Sequence, residues 1–360
     1  MKKLLLVIAI ILAVIACYLY SRNNATTSPD SNKPTIKIGA ILPLTGGMSS
    51  LGSAGENGAR MAIEKSNHNP ASRYHYELIS DDTITDAKRS IPIFKKMTDF
   101  DKVSAIVSFD SQAGHAIKPL ANQAQILHIS SAADPTVADG NYNFINSSDL
   151  NNNIHNLLEY FEKNGYRNIA IAGVNYIASQ RVFNILKEQI KDTDFKIVAD
   201  ELVNPTERQI QTEAKKIANS NPDVVFLYGF EPITSLYAKE LKNAGYHGPI
   251  SGIYTLSYTD NPEILNGSTY FDYGSGDDNF KEEYRQRFKL EPNAASTVMF
   301  DSINIIINLF ETNTSPQQID QILKNYYGPN GLLILKENGL IHSDLVLVQM
   351  TDGKPVPVKE

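Results

Sequence analysis

From residue 36 onward the chain alternates two apolar patterns: short runs with period two or unbroken apolar character, and longer runs with apolar positions three and four apart. The first pattern predicts strands and the second predicts amphipathic helices. Residues 36–42 read as a strand that Pro43 ends, since proline has no N–H for the ladder and restricts the residue before it. A loop of Gly, Ser and Thr follows, then a helix with Ala59, Ala62 and Ile63 on one face and Arg60 and Glu64 on another. Residues 74–80 form the next strand. A helix from Asp86 carries Ile93, Phe94 and Met97, and Pro92 should kink it or mark its true start. Residues 103–109 are continuously apolar, as expected for a parallel strand covered on both faces. Asp110, Ser111 and Gln112 then turn into a helix ending near Gln125. A strand over 126–129 runs into Ser130, Ser131, Ala132, Ala133, Asp134 and Pro135.

The pattern then repeats. Helices are predicted over 150–164, 179–191, 207–219 and 233–243, the last closed by Gly245, with strands over 169–174, 195–203, 224–228 and 249–253. Strands alternating with helices indicate an α/β fold of doubly wound parallel sheets. The last quarter breaks the rhythm: helices over 280–288, 294–310 and 317–326, then strands over 331–335 and 345–350 paired around a turn at 336–339. At 360 residues the chain suits two domains of roughly 150 residues each.

Composition adds three constraints. A formal net charge of −7 without a long basic run argues against nucleic acid as a partner. Tryptophan is absent, so 18 Tyr and 14 Phe supply any aromatic pocket. The N-terminus reads as a targeting segment: Lys2 and Lys3, an apolar run over 4–16, then Cys17, the one cysteine of the chain. Residues 1–17 resemble a lipoprotein signal with Cys17 as the lipidated residue, and no disulfide can form within the chain. The alternative is an uncleaved anchor, because the apolar run continues through Tyr18, Leu19 and Tyr20. Residues 18–35 read as a flexible tether rich in Ser, Thr, Asn and Pro.

Enzyme signatures are missing. The sequence has no Gly-x-Ser-x-Gly, no His-Glu-x-x-His and no Walker loop, and its seven histidines lack metal-ligand spacing. The cysteine is spent on the anchor, and Asp81-Asp82 and Glu282-Glu283 suit helix ends and solvated faces. The glycine-rich stretch from Gly52 to Gly58 stands between strand and helix, where a phosphate could sit. It lacks Gly-x-Gly-x-x-Gly spacing, and Glu56 would repel an anion. No cofactor or metal is expected.

The run 36–42, Pro43-Leu44-Thr45-Gly46, Gly52 and Asn57-Gly58-Ala59-Arg60 resembles the opening of type I periplasmic solute-binding proteins of the branched-chain amino acid group. The likeness continues to Tyr327-Gly328-Pro329-Asn330-Gly331, Glu337-Asn338-Gly339 and Val346-Leu347-Val348. It implies two Rossmann-like lobes joined by a three-strand hinge, with crossings near Ile145, Tyr273 and Tyr327. Lobe one would be 36–145 plus 274–326, and lobe two 146–273 plus 327–360.

By the same resemblance Ser111 and the loop holding Ser131 and Ala132 would grip a ligand α-carboxylate, with Gln112 beside them and Leu51 and Phe109 on the apolar side. Ser111 also reads as a plain N-cap. Asp134 stands where the family has a hydroxyl, and beside Pro135 it also reads as a turn residue. In the second lobe Tyr176, Phe230, Glu231 and Tyr254 are the candidates, and the acid that holds the ammonium of amino acids is replaced by Tyr254 and Thr255. Glu231 or Asp134 would then take its place. The expectation is an extracytoplasmic, lipid-anchored protein that passes a small polar solute (an amide, a short peptide or an amino acid other than the branched-chain ones) to an ABC permease. The alternative is a regulatory or protein-interaction lipoprotein on the same scaffold. An exported hydrolase lacks any nucleophile–base pair.

Overall fold

The structure is a computed structural model that describes residues 33–84 and 86–358. The signal segment, Cys17 and most of the tether lie outside the described residues. Among the described residues no helix is long and apolar enough to cross a membrane.

The first lobe opens with β1 (Thr35–Leu42), α1 (Ser49–Asn67), β2 (His75–Asp82), α2 (Ala87–Lys96), β3 (Ala105–Phe109), α3 (Ser111–Ala124), β4 (Leu127–Ser131) and β5 (Asn143–Asn146). The second lobe contains α4 (Leu150–Lys163), β6 (Asn168–Val174), α5 (Ile177–Gln189), β7 (Lys196–Val203), α6 (Gln211–Asn219), β8 (Val224–Tyr228), α7 (Ile233–Asn243), β9 (Ile250–Ile253) and β10 (Thr269–Asp272). The chain then returns through α8 (Asp278–Phe288), α9 (Ala294–Thr312) and α10 (Ile319–Leu323). It closes with β11 (Tyr327–Gly328), β12 (Gly331–Leu332), β13 (Ile334–Leu335), β14 (Leu340–His342), β15 (Val346–Thr351) and β16 (Lys354–Pro357).

Two seven-stranded sheets result, ordered β13-β14-β5-β4-β3-β1-β2 and β16-β15-β10-β9-β8-β6-β7. Their doubly wound parts, β5-β4-β3-β1-β2 and β10-β9-β8-β6-β7, have the same order. Strand β1 is central, paired in parallel with β2 and β3, and Ile38, Ala40, Ile41 and Leu42 are fully buried. That explains its near-continuous apolar run.

The closing segment departs from expectation. Residues 336–339 do turn between two strands, but these are β13 and β14, and both join the first sheet. Strand β14 pairs in parallel with β5 and buries Ile341 completely. Strand β15 instead pairs antiparallel with β10 and β16 in the second sheet. Residues 327–360 are therefore shared between the sheets, and the chain passes to the second sheet between His342 and Val346, not near Tyr327. At three residues, β14 is too short for periodicity to reveal.

Helix α1 is the second correction. It starts at Ser49, so Gly52, Gly55 and Gly58 lie inside a helix and not in a loop. They serve packing: a Cβ on Gly58 would stand 2.0 Å from the Ser296 carbonyl oxygen, and one on Gly52 2.1 Å from that of Pro43. Pro92 neither starts nor ends α2, whose N-cap is Asp86.

Helix α9 belongs to both cores. Ala295 and Met299 pack with the first sheet, while Ala294 and Val298 pack with the second lobe. The Asn293 side chain accepts from the amides of Ala295 and Ser296, forming a capping box with Ser296. On its buried flank Asp301 accepts a hydrogen bond of 2.6 Å from the Tyr326 hydroxyl. Burial nevertheless pushes its carboxyl from 3.8 up to about 7.

Two outcomes follow. Gly58→Ala should lower the melting temperature by the equivalent of about 1–3 kcal/mol, because backbone must move. Gly55→Ala meets only the Met299 side chain at 3.1 Å and should be near neutral, which thermal unfolding of both variants checks. For Asp301 the folded protein keeps a proton that the unfolded chain releases near pH 4. Its contribution to stability therefore falls as pH rises from about 4 to about 7 and is level above that. Asp301→Asn should melt higher than the parent at pH 8, by at least about 1 kcal/mol, with the gap shrinking toward pH 4.

Candidate ligand-binding site

Doubly wound sheets hold ligands outside the carboxyl ends of their strands, where the strand order reverses. Those points lie between β1 and β3 in one sheet and between β6 and β8 in the other. The loops that follow β3, β4, β8, β9 and β10 converge with the start of α9 on one cleft. A smaller outer compartment adjoins it, sharing Met48, Asp110, Ser111, Ala178 and Phe230 and adding Gln112 and Tyr176.

The second lobe's wall is aromatic. Tyr228, Phe230, Tyr254, Tyr258 and Tyr273 all line the cleft. Ring centroids lie 5.8 Å apart for Tyr228 and Tyr254, and 5.2 Å for Tyr254 and Tyr273. The hydroxyls of Tyr228 and Tyr254 pair at 2.9 Å. The Tyr273 hydroxyl accepts from the Ser148 amide and lies 3.2 Å from Ser147 Oγ, tying the first passage between lobes to the second. Burial holds the hydroxyls of Tyr254 and Tyr258 protonated well above the ordinary tyrosine range.

The first lobe supplies the polar end. Asp110, at φ 77°, is the N-cap of α3 and accepts from the Ala113 amide at 2.8 Å. The cap is thus Asp110 and not Ser111. Burial pushes the Asp110 carboxyl up to about 6, against the pull of the helix amides. Ser111 Oγ accepts from the amides of Ala133 and Asp134, each at 3.1 Å, which pins the loop after β4 onto α3.

Of the residues expected in the site, Phe109, Ser111, Ser131, Ala132, Phe230 and Tyr254 line the main cleft, and Gln112 and Tyr176 the outer compartment. Three expected residues do not line either. Leu51 points into the first-lobe core at 2% exposure, and Met48, one turn earlier, faces the cleft. Asp134 caps the turn at Pro135–Val137. Burial works against its charge, but hydrogen bonds from His115 (2.9 Å) and Thr136 hold its carboxyl below the ordinary range. Glu231 accepts from Ser235, Thr259 and the Asp260 amide, which fastens the loops beside the cleft. Neither acid is placed to replace the missing ammonium ligand.

Sequence reasoning missed Met48, Asp110, Tyr228, Tyr258 and Tyr273 as lining residues. Asp110 had a signal, an acid at a strand-to-helix junction next to Ser111. The tyrosines come from strand ends and an irregular segment with no periodic pattern.

A family model described as periplasmic binding protein matches residues 35–354. No curated protein sequence matches the chain. The chain is similar in structure to the branched-chain amino acid binding protein LivJ of Streptococcus pneumoniae, solved with isoleucine, at 21% identity and TM-score 0.79, covering 89% of this chain and 97% of that one. It is similar to the leucine binding protein LivK of Thermotoga maritima at 19% identity and TM-score 0.78, covering 90% and 98%. A solute binding protein of an ABC transporter from Rhodopseudomonas palustris, in complex with benzoate, aligns at 16% identity and TM-score 0.80, covering 90% and 95%.

Tyr273→Phe removes the buried acceptor of the Ser148 amide without altering cavity volume. It should destabilise the protein by about 1–3 kcal/mol, read as a lower melting temperature.

Proposed function

The chain belongs to the periplasmic binding protein family, and from that premise we infer that it captures a small solute in the interlobe cleft and presents it to an ABC permease. The family is extracytoplasmic and made up of solute-binding proteins. The observation that carries the reading is the pairing of the two switch points across one cleft. A ligand there touches both lobes at once, so it stabilises the closed arrangement over an open one. The cleft is lined by side chains of both lobes, mostly apolar and aromatic with a few polar groups, the make-up of a small-molecule site. We extend the reading to the N-terminus: Cys17 is lipidated and residues 18–35 tether the lobes to the membrane beside the permease. The ligand differs from leucine, isoleucine and valine, because the acid expected after β9 is replaced by Tyr254 and Thr255.

A thermal-shift screen of the full chain against amino acids, amides, short peptides, organic cations and small carboxylates tests solute capture. A ligand at a hundred times its dissociation constant should stabilise the protein by about 2.7 kcal/mol. Small-angle scattering should show a smaller radius of gyration with that ligand. Silence across the panel, or a shift with leucine as large as any other, contradicts the reading.

A further inference from the structure

The cleft's charge inventory is lopsided. Asp110 lines both compartments, and no Lys, Arg or His side chain lines either among the described residues. Three features of a site for a carboxylate are also spent internally. The amides of Ala133 and Asp134 donate to Ser111 Oγ. The first turn of α3 donates to the Asp110 carboxylate through Ala113, so the positive end of that helix already holds an anion. An incoming carboxylate would find these amides occupied and an acid beside them.

The opposite wall is formed by Tyr228, Phe230, Tyr254, Tyr258 and Tyr273. Aromatic rings attract a cation held over their faces, most of all when water is excluded. Hydrogen bonds bind the hydroxyls of Tyr228 and Tyr254 to each other and that of Tyr273 to the hinge. A primary ammonium needs up to three acceptors, and this wall has few to spare. An alkylated ammonium needs none, and its methyl groups suit apolar ring surface. The protein's net charge of −7 adds a weak field of the same preference.

We propose that the cleft selects a small organic cation, with an alkylated ammonium set between Asp110 and the tyrosine-rich wall. This deepens, and rests on, the solute-capture reading.

The test is titration calorimetry on the full chain in a maltoside detergent at pH 7.5, with choline, its uncharged carbon isostere 3,3-dimethylbutan-1-ol, and benzoate. Choline should bind at least tenfold more tightly than the isostere, and benzoate should give no heat. Asp110→Asn should weaken choline at least tenfold, since Asn keeps a side-chain oxygen to cap the helix and removes only the charge. Tyr258→Leu should also weaken choline, and its hydroxyl makes no hydrogen bond among the described residues, so it serves if the first variant misfolds. Equal binding of choline and the isostere would overturn the proposal, as would choline affinity unchanged in both variants. So would benzoate binding to the parent protein as tightly as choline, but solute capture would stand. If choline fails while another solute of the broader screen binds, only the cation assignment falls. If nothing binds in either experiment, both readings fall.

Discussion

The close approach of α1 to α9 is the constraint on which the cleft depends. Glycine at position 58 lets the backbone of Ser296 lie where any side chain would stand. Helix α9 can therefore bury Ala295 and Met299 in the first lobe while Ala294 and Val298 reach the second. One helix thus serves two cores, and its first turns wall the cavity. The Asn146 side chain adds a fixed point by donating to the Val298 carbonyl and Ser302 Oγ, both at 3.1 Å. Buried polar groups satisfied in this way specify one arrangement of strand end and helix.

The passages between the lobes are tied by the same means. Tyr273 joins the first and second, and the Lys336–Asp149 pair joins the β13–β14 turn to the cap of α4. Asn330 accepts from the Gly276 amide and donates to Thr297, linking the end of the chain to α9. The loop after β1 also approaches the second lobe through backbone: a Cβ on Gly47 would be 3.1 Å from the Glu231 carbonyl oxygen.

How much the sequence disclosed depended on how local each signal was. The alternation of strands and helices was legible because burial on both faces of β3 or β8 leaves a continuous apolar run. The two lobes were expected from chain length and from the family resemblance. Gly52 to Gly58 misled because glycine disfavours helices, and only contact with Pro43 and Ser296 explains why a helix forms there. Strand β14 was hidden by its length, and its partner β5 lies nearly two hundred residues earlier. At the cleft, residues placed by strand ends, such as Phe109, Ser111 and Phe230, were within reach of sequence reasoning. Asp134 and Glu231 were not, because only the folded loops show Asp134 held by His115 and Thr136, and Glu231 Oε1 by Ser235, Thr259 and the Asp260 amide.

That engagement bears on specificity. A fold shared with proteins solved with isoleucine or benzoate fixes where a ligand sits, not which one. In this chain the acids drawn into structural work, Asp134 and Glu231, leave the second wall to neutral tyrosines, while Asp110 remains the one charged side chain of the cleft among the described residues. Its burial raises its pKa toward 6, so at neutral pH the carboxylate is retained at a cost in stability that a cationic ligand would relieve. The same charge repels carboxylates, and a site that rejects one class while favouring another discriminates more sharply than attraction alone would allow. Selectivity here thus rests on one capping residue and on which amides it leaves free.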